Sequence, residues 1–369
     1  MSSGSIFTEF LGSTTITHNG ESGEVTYRKR IDPISGQQSC VSEYRSGRDR
    51  NLGVRTIVDI KPVHGCEFCN YENGTPDDKV YHSSGAVSFP NKYPWESSQW
   101  VTAYPPFEDG KHKLLLSSMD FQDLQRMLES EFDLAQILYS MHRRDPLIIG
   151  MTDFTNWGPY AGASQQHPHS QRQAITHVLD TEEDRELQRC RHFYHQYGMN
   201  PFDLLISEEL KTSERVIFNN DNVYVGAAFA PRRPNEIIVI PKDSFANIVE
   251  TSSAKDRDFI RSVLGVFPAL RLYRGVSDLN IVVHMAPFTE LRRGNHANEY
   301  YRWHMHILPR KSELPADIAG AELGYGINIS TVMPETVAQE VRQWYQNHPN
   351  EDLVIPELME EFQLVMKTD

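Results

Sequence analysis

The spacing of hydrophobic residues predicts helices at four places along the chain. Between residues 121 and 144, apolar residues recur every three or four positions, so they share one face of a helix. The members of this apolar stripe are Phe121, Leu124, Leu128, Phe132, Leu138 and Met141. Further helices are predicted at Thr181–Tyr197, at Ala254–Tyr273 and at Pro334–Gln346. Pro268 should kink or end the third helix, whereas Pro334 suits the first turn of the fourth.

Extended segments separate the predicted helices. Strands are predicted at Leu147–Met151, Val223–Ala230, Glu236–Pro241, Leu279–Met285 and Tyr301–Leu308, with short extended runs between residues 85 and 105. A hairpin is predicted within Tyr27–Gln38, because Asp-Pro is followed there by Ser-Gly.

The predicted elements repeat between the two halves of the chain. Each half has the order strands, helix, strand, and each contains a His-x-His, at His167–His169 and at His304–His306. This pattern indicates an internal duplication of long period. We therefore predict an α+β fold of two tandem halves, residues 1–198 and 199–369, with a mostly antiparallel sheet and flanking helices.

Composition and charge exclude several classes of protein. The hydrophobic fraction of 39% supplies a core, and the formal net charge of −14 disfavours binding to a nucleic-acid backbone. Because no run of about 18 apolar residues occurs, no membrane span is expected. The first ten residues lack the basic and apolar regions of a secretory signal, and four cysteines are too few for a disulfide scaffold. These features predict a cytoplasmic protein.

Cys66 and Cys69 form a Cys-x-x-Cys pair. Two thiolates three residues apart across a tight turn can converge on one zinc ion, so the pair is a candidate half of a metal site. The alternative interpretation is an ordinary turn.

The segment from Asn156 to Gln171 is the richest in candidate chemistry. Glycines such as Gly162 let backbone N–H groups approach a phosphate. Pro168 favours an extended backbone at His167, so His167, His169 and Gln171 should share one face. A neutral imidazole is a good phosphoryl acceptor when its other nitrogen is held as a donor. The alternative is a pair of surface histidines on an edge strand.

The motifs of this segment resemble those of a known family. Asn-x-Gly, Gly-x-Ser and His-Pro-His-x-Gln occur at the spacing of the galactose-1-phosphate uridylyltransferase family, the transferase branch of the histidine-triad superfamily. The resemblance implies two histidine-triad-like halves and a homodimer. It also implies that His169 is the nucleophile, that His167 is a zinc ligand, and that Gln171 binds the phosphoryl oxygens. Asn156 and Ser164 would position phosphates.

The resemblance extends to the rest of the nucleotide site and to the first metal site. It implies that Arg45 and Arg48 grip the nucleotide phosphates and that Asn91 contacts the nucleoside. It also implies that Cys66 and Cys69 bind a structural zinc together with His167. The family's fourth ligand motif is missing from this sequence, so His112 or His64 is expected to replace it. The alternative is a degraded site, in which Cys66 and Cys69 are only turn residues.

A second metal site, for zinc or iron, is implied in the other half. Its ligands would be three histidines and a glutamate, and the spacing leaves Glu183 and Glu186 open, with Glu186 as our choice. The histidines are His284, His304 and His306. The alternative is a hydrogen-bonded core trio.

The region implied to bind the sugar departs from the family. Glu322 is kept as a candidate substrate contact, but Ala316 and Asp317 stand where the family has a lysine and a phenylalanine. A lysine that neutralises a sugar phosphate cannot be replaced in this way without a change of ligand. We therefore expect an acceptor other than galactose 1-phosphate.

Together these features predict a nucleotidyltransferase. It would transfer a nucleoside monophosphate from a nucleotide sugar to a sugar phosphate by double displacement through His169. One alternative is a phosphorylase that uses inorganic phosphate as the acceptor on a nucleotide sugar or dinucleotide. Another alternative is a non-catalytic nucleotide-binding sensor.

Overall fold

The computed structural model describes most of the chain between residues 8 and 347. The described residues are 8–31, 38–41, 64–112, 121–176, 182–229, 231–251, 262–263, 265–270, 276, 278–294, 296–310, 323–324, 332 and 334–347. The sites predicted at Arg45, Arg48 and Glu322 lie outside these residues.

A small sheet of three strands comes first in the chain. Strands β1 (Thr8–His18), β2 (Glu21–Ile31) and β3 (Gln38–Val41) form it in that order. Both pairings are antiparallel, with Thr8 opposite Ile31 and Arg28 opposite Val41. The β2–β3 pairing confirms the predicted hairpin.

A second sheet of ten strands forms the centre of the described molecule. Its strands in chain order are β4 (Val80–Tyr81), β5 (Val87–Pro90), β6 (Ser98–Ala103), β7 (Gly150–Trp157), β8 (His169–Ile175), β9 (Val216–Asn219), β10 (Val223–Ala227), β11 (Ile237–Pro241), β12 (Asp278–His284) and β13 (His304–Arg310). The spatial order is β4-β5-β6-β8-β7-β12-β13-β11-β10-β9, and every pairing is antiparallel.

The strand order repeats about the central β7–β12 pair. Read outward from this pair, one side runs β7, β8, β6, β5, β4 and the other runs β12, β13, β11, β10, β9. When the five strands on each side are counted along the chain, both sides read fourth, fifth, third, second and first, as an internal duplication requires. Thr155 lies opposite Ile281 at the middle of the pair. The predicted fold class, a mixed fold with a large antiparallel sheet, is confirmed.

Helices flank the sheet. They are α1 (Tyr71–Gly74), α2 (Phe121–His142), α3 (Glu182–Tyr197), α4 (Pro201–Thr212), α5 (Phe288–Arg293) and α6 (Pro334–Asn347). Helix α2 buries Met127, Leu134 and Leu138 completely, because its apolar positions follow the helical repeat. Residues 262–263 and 265–270 are also helical, and this helix continues through Pro268. No helix among the described residues is long and apolar enough to cross a bilayer.

Alternation along β7 separates the two faces of the sheet. Met151, Asp153, Thr155 and Trp157 are buried on one face, whereas residues 152, 154 and 156 are half-buried on the other. The half-buried face is therefore the one on which a ligand can reach the central strands.

Some predicted boundaries were wrong. The strand predicted at Leu147–Met151 instead runs from Gly150 to Trp157, because the backbone N–H of Leu147 bonds to Asp145 Oδ1 in a turn. Met141, the last member of the apolar stripe of α2, is 56% exposed. Helix α4 was missed, although Asn200 caps it by accepting from the N–H of Phe202.

Candidate functional site

His169 is the first residue of β8 and lies opposite Ala103 of β6. Its Nδ1 is 2.7 Å from the carbonyl oxygen of His167. Because a carbonyl only accepts hydrogen bonds, Nδ1 must carry the proton, and the lone pair of the neutral ring is on Nε2. The ring also packs edge-on against Phe68, with 5.3 Å between the ring centroids. These two contacts fix both the tautomer and the orientation of the imidazole.

Two pockets meet at His169. One is lined by backbone and side chains of the segment before β8, including Asn156, Gly158 and His167. The other, which we call the aromatic pocket, has aromatic residues in part of its wall. Its lining includes Phe68, Phe89, Asn91, Tyr93, Ser164 and Gln171. The aromatic pocket could thus hold a flat apolar group, and the pocket beside Asn156 and Gly158 could hold a group rich in oxygen atoms, with the imidazole of His169 between them.

The loop between β7 and β8 depends on glycine. Gly158 and Gly162 both have a φ of +83°, in the region that favours glycine. A Cβ on Gly158 would lie 2.4 Å from the carboxyl group of Asp278, which belongs to the other half of the sheet. Ser164 is buried in this loop, and its Oγ has no hydrogen-bond partner among the described residues.

Two amide side chains of the aromatic pocket have their oxygens already occupied. Gln171 Oε1 accepts from Gln99 Nε2 at 3.1 Å, and Asn91 Oδ1 accepts from the backbone N–H of Tyr93 at 2.9 Å. Each residue therefore has its NH2 group left to serve a ligand with acceptor atoms. Gln99 was not identified from the sequence, since only the strand register brings it beside Gln171.

The first metal-binding candidate contains both cysteines of the Cys-x-x-Cys pair. Cys66, Cys69, His112 and His167 offer four ligand atoms that all lie within 4.8 Å of one another. The Nδ1 of His167 lies 3.8 Å from Cys66 Sγ and 3.5 Å from Cys69 Sγ, and the Nε2 of His112 lies 2.8 Å from Cys69 Sγ. Tetrahedral zinc bonds of about 2.3 Å to sulfur and 2.0 Å to nitrogen separate such ligands by about 3.6 Å.

The surroundings of this cluster suit a cation. His167 Nε2 donates to the carbonyl oxygen of Tyr104 at 2.7 Å, so its Nδ1 lone pair is directed to the two sulfur atoms. Burial lowers the pKa of His167 to about 3, which keeps the ring neutral and able to coordinate. Burial also raises the pKa of Cys69 to about 12, and a bound cation would favour the thiolate. His112 Nδ1 is buried and has no partner among the described residues.

The choice between His112 and His64 follows from these positions. His112 lies in the cluster, whereas the side chain of His64 is 82% exposed and lies 3.7 Å from Asp109 Oδ2. Asp109 in turn accepts from the backbone N–H groups of Gly65 and Cys66, so it shapes the turn that carries the first cysteine.

The second metal-binding candidate lies in the other half, at the start of β13 and the end of β12. Glu186, His284, His304 and His306 offer ligand atoms within 4.8 Å of one another. Glu186 Oε2 is 2.8 Å from His284 Nδ1 and 3.5 Å from His304 Nε2. Glu183, the other candidate, instead accepts from the backbone N–H of Met285.

Hydrogen bonds orient two of these rings toward a common centre. His304 Nδ1 donates to the carbonyl oxygen of Arg302 at 2.9 Å, and His306 Nδ1 lies 2.7 Å from Glu236 Oε1. His306 Nε2 is buried without a partner among the described residues. Burial lowers the pKa of His306 well below its ordinary value, so the ring is neutral. An unpartnered lone pair in a buried cluster of three histidines and a carboxylate fits a cation.

A network of charged residues lies behind the nucleophile candidate and was not predicted from the sequence. Arg172 of β8 is fully buried and pairs with Asp153 of β7 and with Glu131 of α2. Glu131 also accepts hydrogen bonds from Tyr104 and Ser170. Because side chains alternate along β8, this network lies on the face opposite His169 and Gln171.

A serine–histidine–aspartate arrangement occurs in the same half. His82 Nε2 lies 2.7 Å from Ser88 Oγ, and its Nδ1 lies 2.8 Å from Asp133 Oδ2. Ser88 is completely buried and also bonds to Thr102, so a substrate cannot reach it. This arrangement is therefore an internal hydrogen-bond chain.

Sequence comparisons identify two kinds of related enzyme. No model of a known protein family matches the chain. ADP-glucose phosphorylase of Arabidopsis thaliana is 30% identical over 195 residues, which are 52% of this chain and 50% of that protein. Galactose-1-phosphate uridylyltransferase of Thermotoga maritima is 24% identical over 236 residues, 63% of this chain and 70% of that protein. The chain thus matches only half the length of the Arabidopsis relative.

Comparison with solved structures concerns the fold. A uridylyltransferase structure superposes with a TM-score of 0.64 at 20% identity, and the match covers 86% of this chain and 98% of the other. The implied resemblance is therefore confirmed. The chain is a homologue of the galactose-1-phosphate uridylyltransferases and of ADP-glucose phosphorylase, and it has the uridylyltransferase fold.

Proposed function

We propose that this protein transfers a nucleoside monophosphate from a nucleotide sugar to a phosphate-bearing acceptor by double displacement through His169. The observation that carries the proposal is the state of the imidazole. Its Nδ1 is held as a donor by the carbonyl oxygen of His167, and the ring lies where the aromatic pocket meets the glycine-containing loop. A neutral imidazole held in this way is an activated nucleophile for phosphorus.

The proposed reaction has two balanced steps. In the first, the Nε2 lone pair of His169 forms a bond to the α-phosphorus, and the bond from that phosphorus to the bridging oxygen breaks. The sugar phosphate leaves with the electron pair. In the second, a phosphate oxygen of the acceptor bonds to the same phosphorus, and the electron pair of the N–P bond returns to Nε2. The second step restores the enzyme without a cofactor that carries the group.

The neighbouring groups would stabilise the phosphoryl oxygens in both steps. The NH2 group of Gln171 and the buried Oγ of Ser164 are the donors that line the same pocket as His169. The backbone N–H of Gly162, a predicted phosphate contact, donates to the carbonyl oxygen of Pro159 at 3.1 Å, so Gly162 shapes the loop. Gln171 cannot act as an acid or base at neutral pH, which favours transfer over hydrolysis. Asn91 would meet the nucleoside in the aromatic pocket. Arg45 and Arg48 remain predicted phosphate contacts.

We propose that zinc binds at Cys66, Cys69, His112 and His167, and that zinc or iron binds at Glu186, His284, His304 and His306. When bound, these metals supply structural cross-links between loop and strand. The first site would fix His167, whose carbonyl oxygen holds the proton of His169. The metals have no direct part in the two steps. A homodimer, two domains with a boundary near residue 198 and a cytoplasmic location remain proposals.

A phosphorylase is the second candidate function. It shares both the nucleotidyl-His169 intermediate and the donor class, and differs in that inorganic phosphate attacks in the second step. The 30% identity to ADP-glucose phosphorylase favours this candidate. The changed residues at Ala316 and Asp317 also favour a small acceptor, since they remove the partners expected for a sugar phosphate.

An exchange assay tests the proposed function. The purified chain is incubated with UDP-glucose or ADP-glucose and radiolabelled glucose 1-phosphate, without any further acceptor. Double displacement predicts that label enters the nucleotide sugar, because the first step is reversible. Adding inorganic phosphate or galactose 1-phosphate then identifies the acceptor from the product formed. Absence of exchange with every donor would contradict the proposed function and would support the sensor alternative.

A further inference from the structure

We propose that Asn280 is a positioning residue that determines which end of the Asn156 amide faces the transferred phosphate. Asn280 lies on β12, in the second half of the sheet, directly opposite Asn156 of β7. This inference rests on the proposed function, because it assumes that Asn156 meets a phosphate. It assigns to the second half of the sheet an indirect role, through Asn156, in the chemistry at His169.

The orientation of the Asn280 amide follows from two neighbours that each allow one kind of bond. Its Nδ2 lies 2.8 Å from the carbonyl oxygen of Ala161, which can only accept. Its Oδ1 lies 3.3 Å from Nη1 of Arg310, which can only donate. Exchanging the nitrogen and oxygen of Asn280 would place donor against donor and acceptor against acceptor. The NH2 group of Asn280 must therefore be on the side of the loop.

This orientation determines that of Asn156. The second N–H of Asn280 Nδ2 donates to Asn156 Oδ1 at 2.8 Å. Asn156 is thus held by its oxygen, and its NH2 group is the end left to serve the pocket that it lines together with His169. An NH2 group attracts a phosphoryl oxygen, whereas a carbonyl oxygen in that place would repel it.

A second residue of β12 holds the same loop. Asp278 Oδ2 accepts from the backbone N–H of Tyr160 at 2.6 Å, and its carboxyl group occupies the space that a Cβ on Gly158 would need. Asp278 and Asn280 are two positions apart on one strand and so share one face. The turn at residues 158–161 is therefore shaped by β12 as well as by its own sequence.

Two substitutions separate this role from simple packing. Asn280→Asp keeps the size of the side chain but presents an acceptor, so Asn156 must turn its NH2 group away from the pocket. Asn280→Ala removes the partner and leaves Asn156 free to rotate. We expect kcat for nucleotidyl exchange to fall about 10- to 100-fold in Asn280→Asp and less in Asn280→Ala. A packing role predicts the reverse order, because alanine loses more contacts.

A double-mutant cycle with Asn156→Ala makes the test decisive. If Asn280 acts through Asn156, Asn280→Ala should cost little further activity once Asn156 is already alanine. Asn298→Asp, at an exposed site, controls for the added charge and should leave exchange unchanged. If the wild-type protein exchanges label and the losses of the two single variants multiply in the double variant, the proposal for Asn280 is overturned while the proposed function stands. Wild-type protein without exchange would instead overturn the proposed function. If Asn280→Asp does not fold, the cycle with Asn280→Ala still decides.

Discussion

Replacing Arg172 by methionine should destabilise the protein strongly. Arg172 is fully buried and pairs with Asp153 and Glu131, which are 4% and 5% exposed. Removing the cation leaves two carboxyl groups buried together without their positive partner. Breaking a buried ion pair in this way costs about 3–5 kcal/mol of unfolding free energy. At about 2 °C per kcal/mol, the melting temperature should fall by about 6–10 °C.

The loss of stability should depend on pH. Burial raises the pKa of Asp153 to about 7, even though Arg172 opposes the shift. Because this folded-state pKa lies above the unfolded value, the native state holds the extra proton, and its contribution to stability is lost as pH rises toward 7. Without Arg172 the pKa of Asp153 rises further. The destabilisation by Arg172→Met should therefore be smaller at about pH 5.5 than at about pH 8.

A matched double variant controls for the loss of packing. Asp153 and Arg172 are direct partners across β7 and β8, so Arg172→Met with Asp153→Leu replaces a charged pair by an apolar pair. This variant should recover part of the lost stability, since one of the two unpaired carboxyl groups is gone and Glu131 keeps its hydrogen bonds from Tyr104 and Ser170. Thermal melts at both pH values measure all three proteins. A melting temperature of Arg172→Met within 2 °C of wild type, or a double variant less stable than the single one, would refute the reasoning.

Two further predictions concern the site itself. His112→Ala should lower the zinc content at the Cys-x-x-Cys cluster by about one equivalent per chain, whereas His64→Ala should not. Elemental analysis of the purified variants measures the zinc content, and equal losses in both variants would contradict the ligand assignment. Gln99→Leu should reduce kcat for exchange about 3- to 10-fold, because the amide of Gln171 loses the hydrogen bond that orients it. Steady-state kinetics measure kcat, and an unchanged value would show that other groups orient Gln171.

The chemistry of the site could be predicted from the sequence where the motif is local. His167, His169 and Gln171 are two residues apart, and an extended backbone is enough to place them on one face. The structure keeps this arrangement for His169 and Gln171 on β8, while His167 lies just before the strand and faces the cysteines. Local spacing therefore predicted which residue types meet, but not which ring faces which pocket.

The distant members of the site could not be predicted in this way. His112 follows Cys69 by 43 residues and His64 precedes it by five, so only the folded chain distinguishes them. Glu183 and Glu186 are one helical turn apart on α3, and the rotation of that helix decides which one meets His284. Asn280 and Arg172 were missed because cross-strand register, which the sequence does not state, brings them to their partners.

Mass spectrometry of the intact protein after incubation with a nucleotide sugar tests the central claim most directly. Double displacement through His169 predicts an increase in mass by one nucleoside monophosphate minus one water, and peptide mapping should locate the adduct on His169. His169→Asn removes the nucleophilic lone pair, so this variant should show no adduct and at least about a thousandfold slower exchange. An adduct on any other residue, or an active His169→Asn variant, would contradict the account.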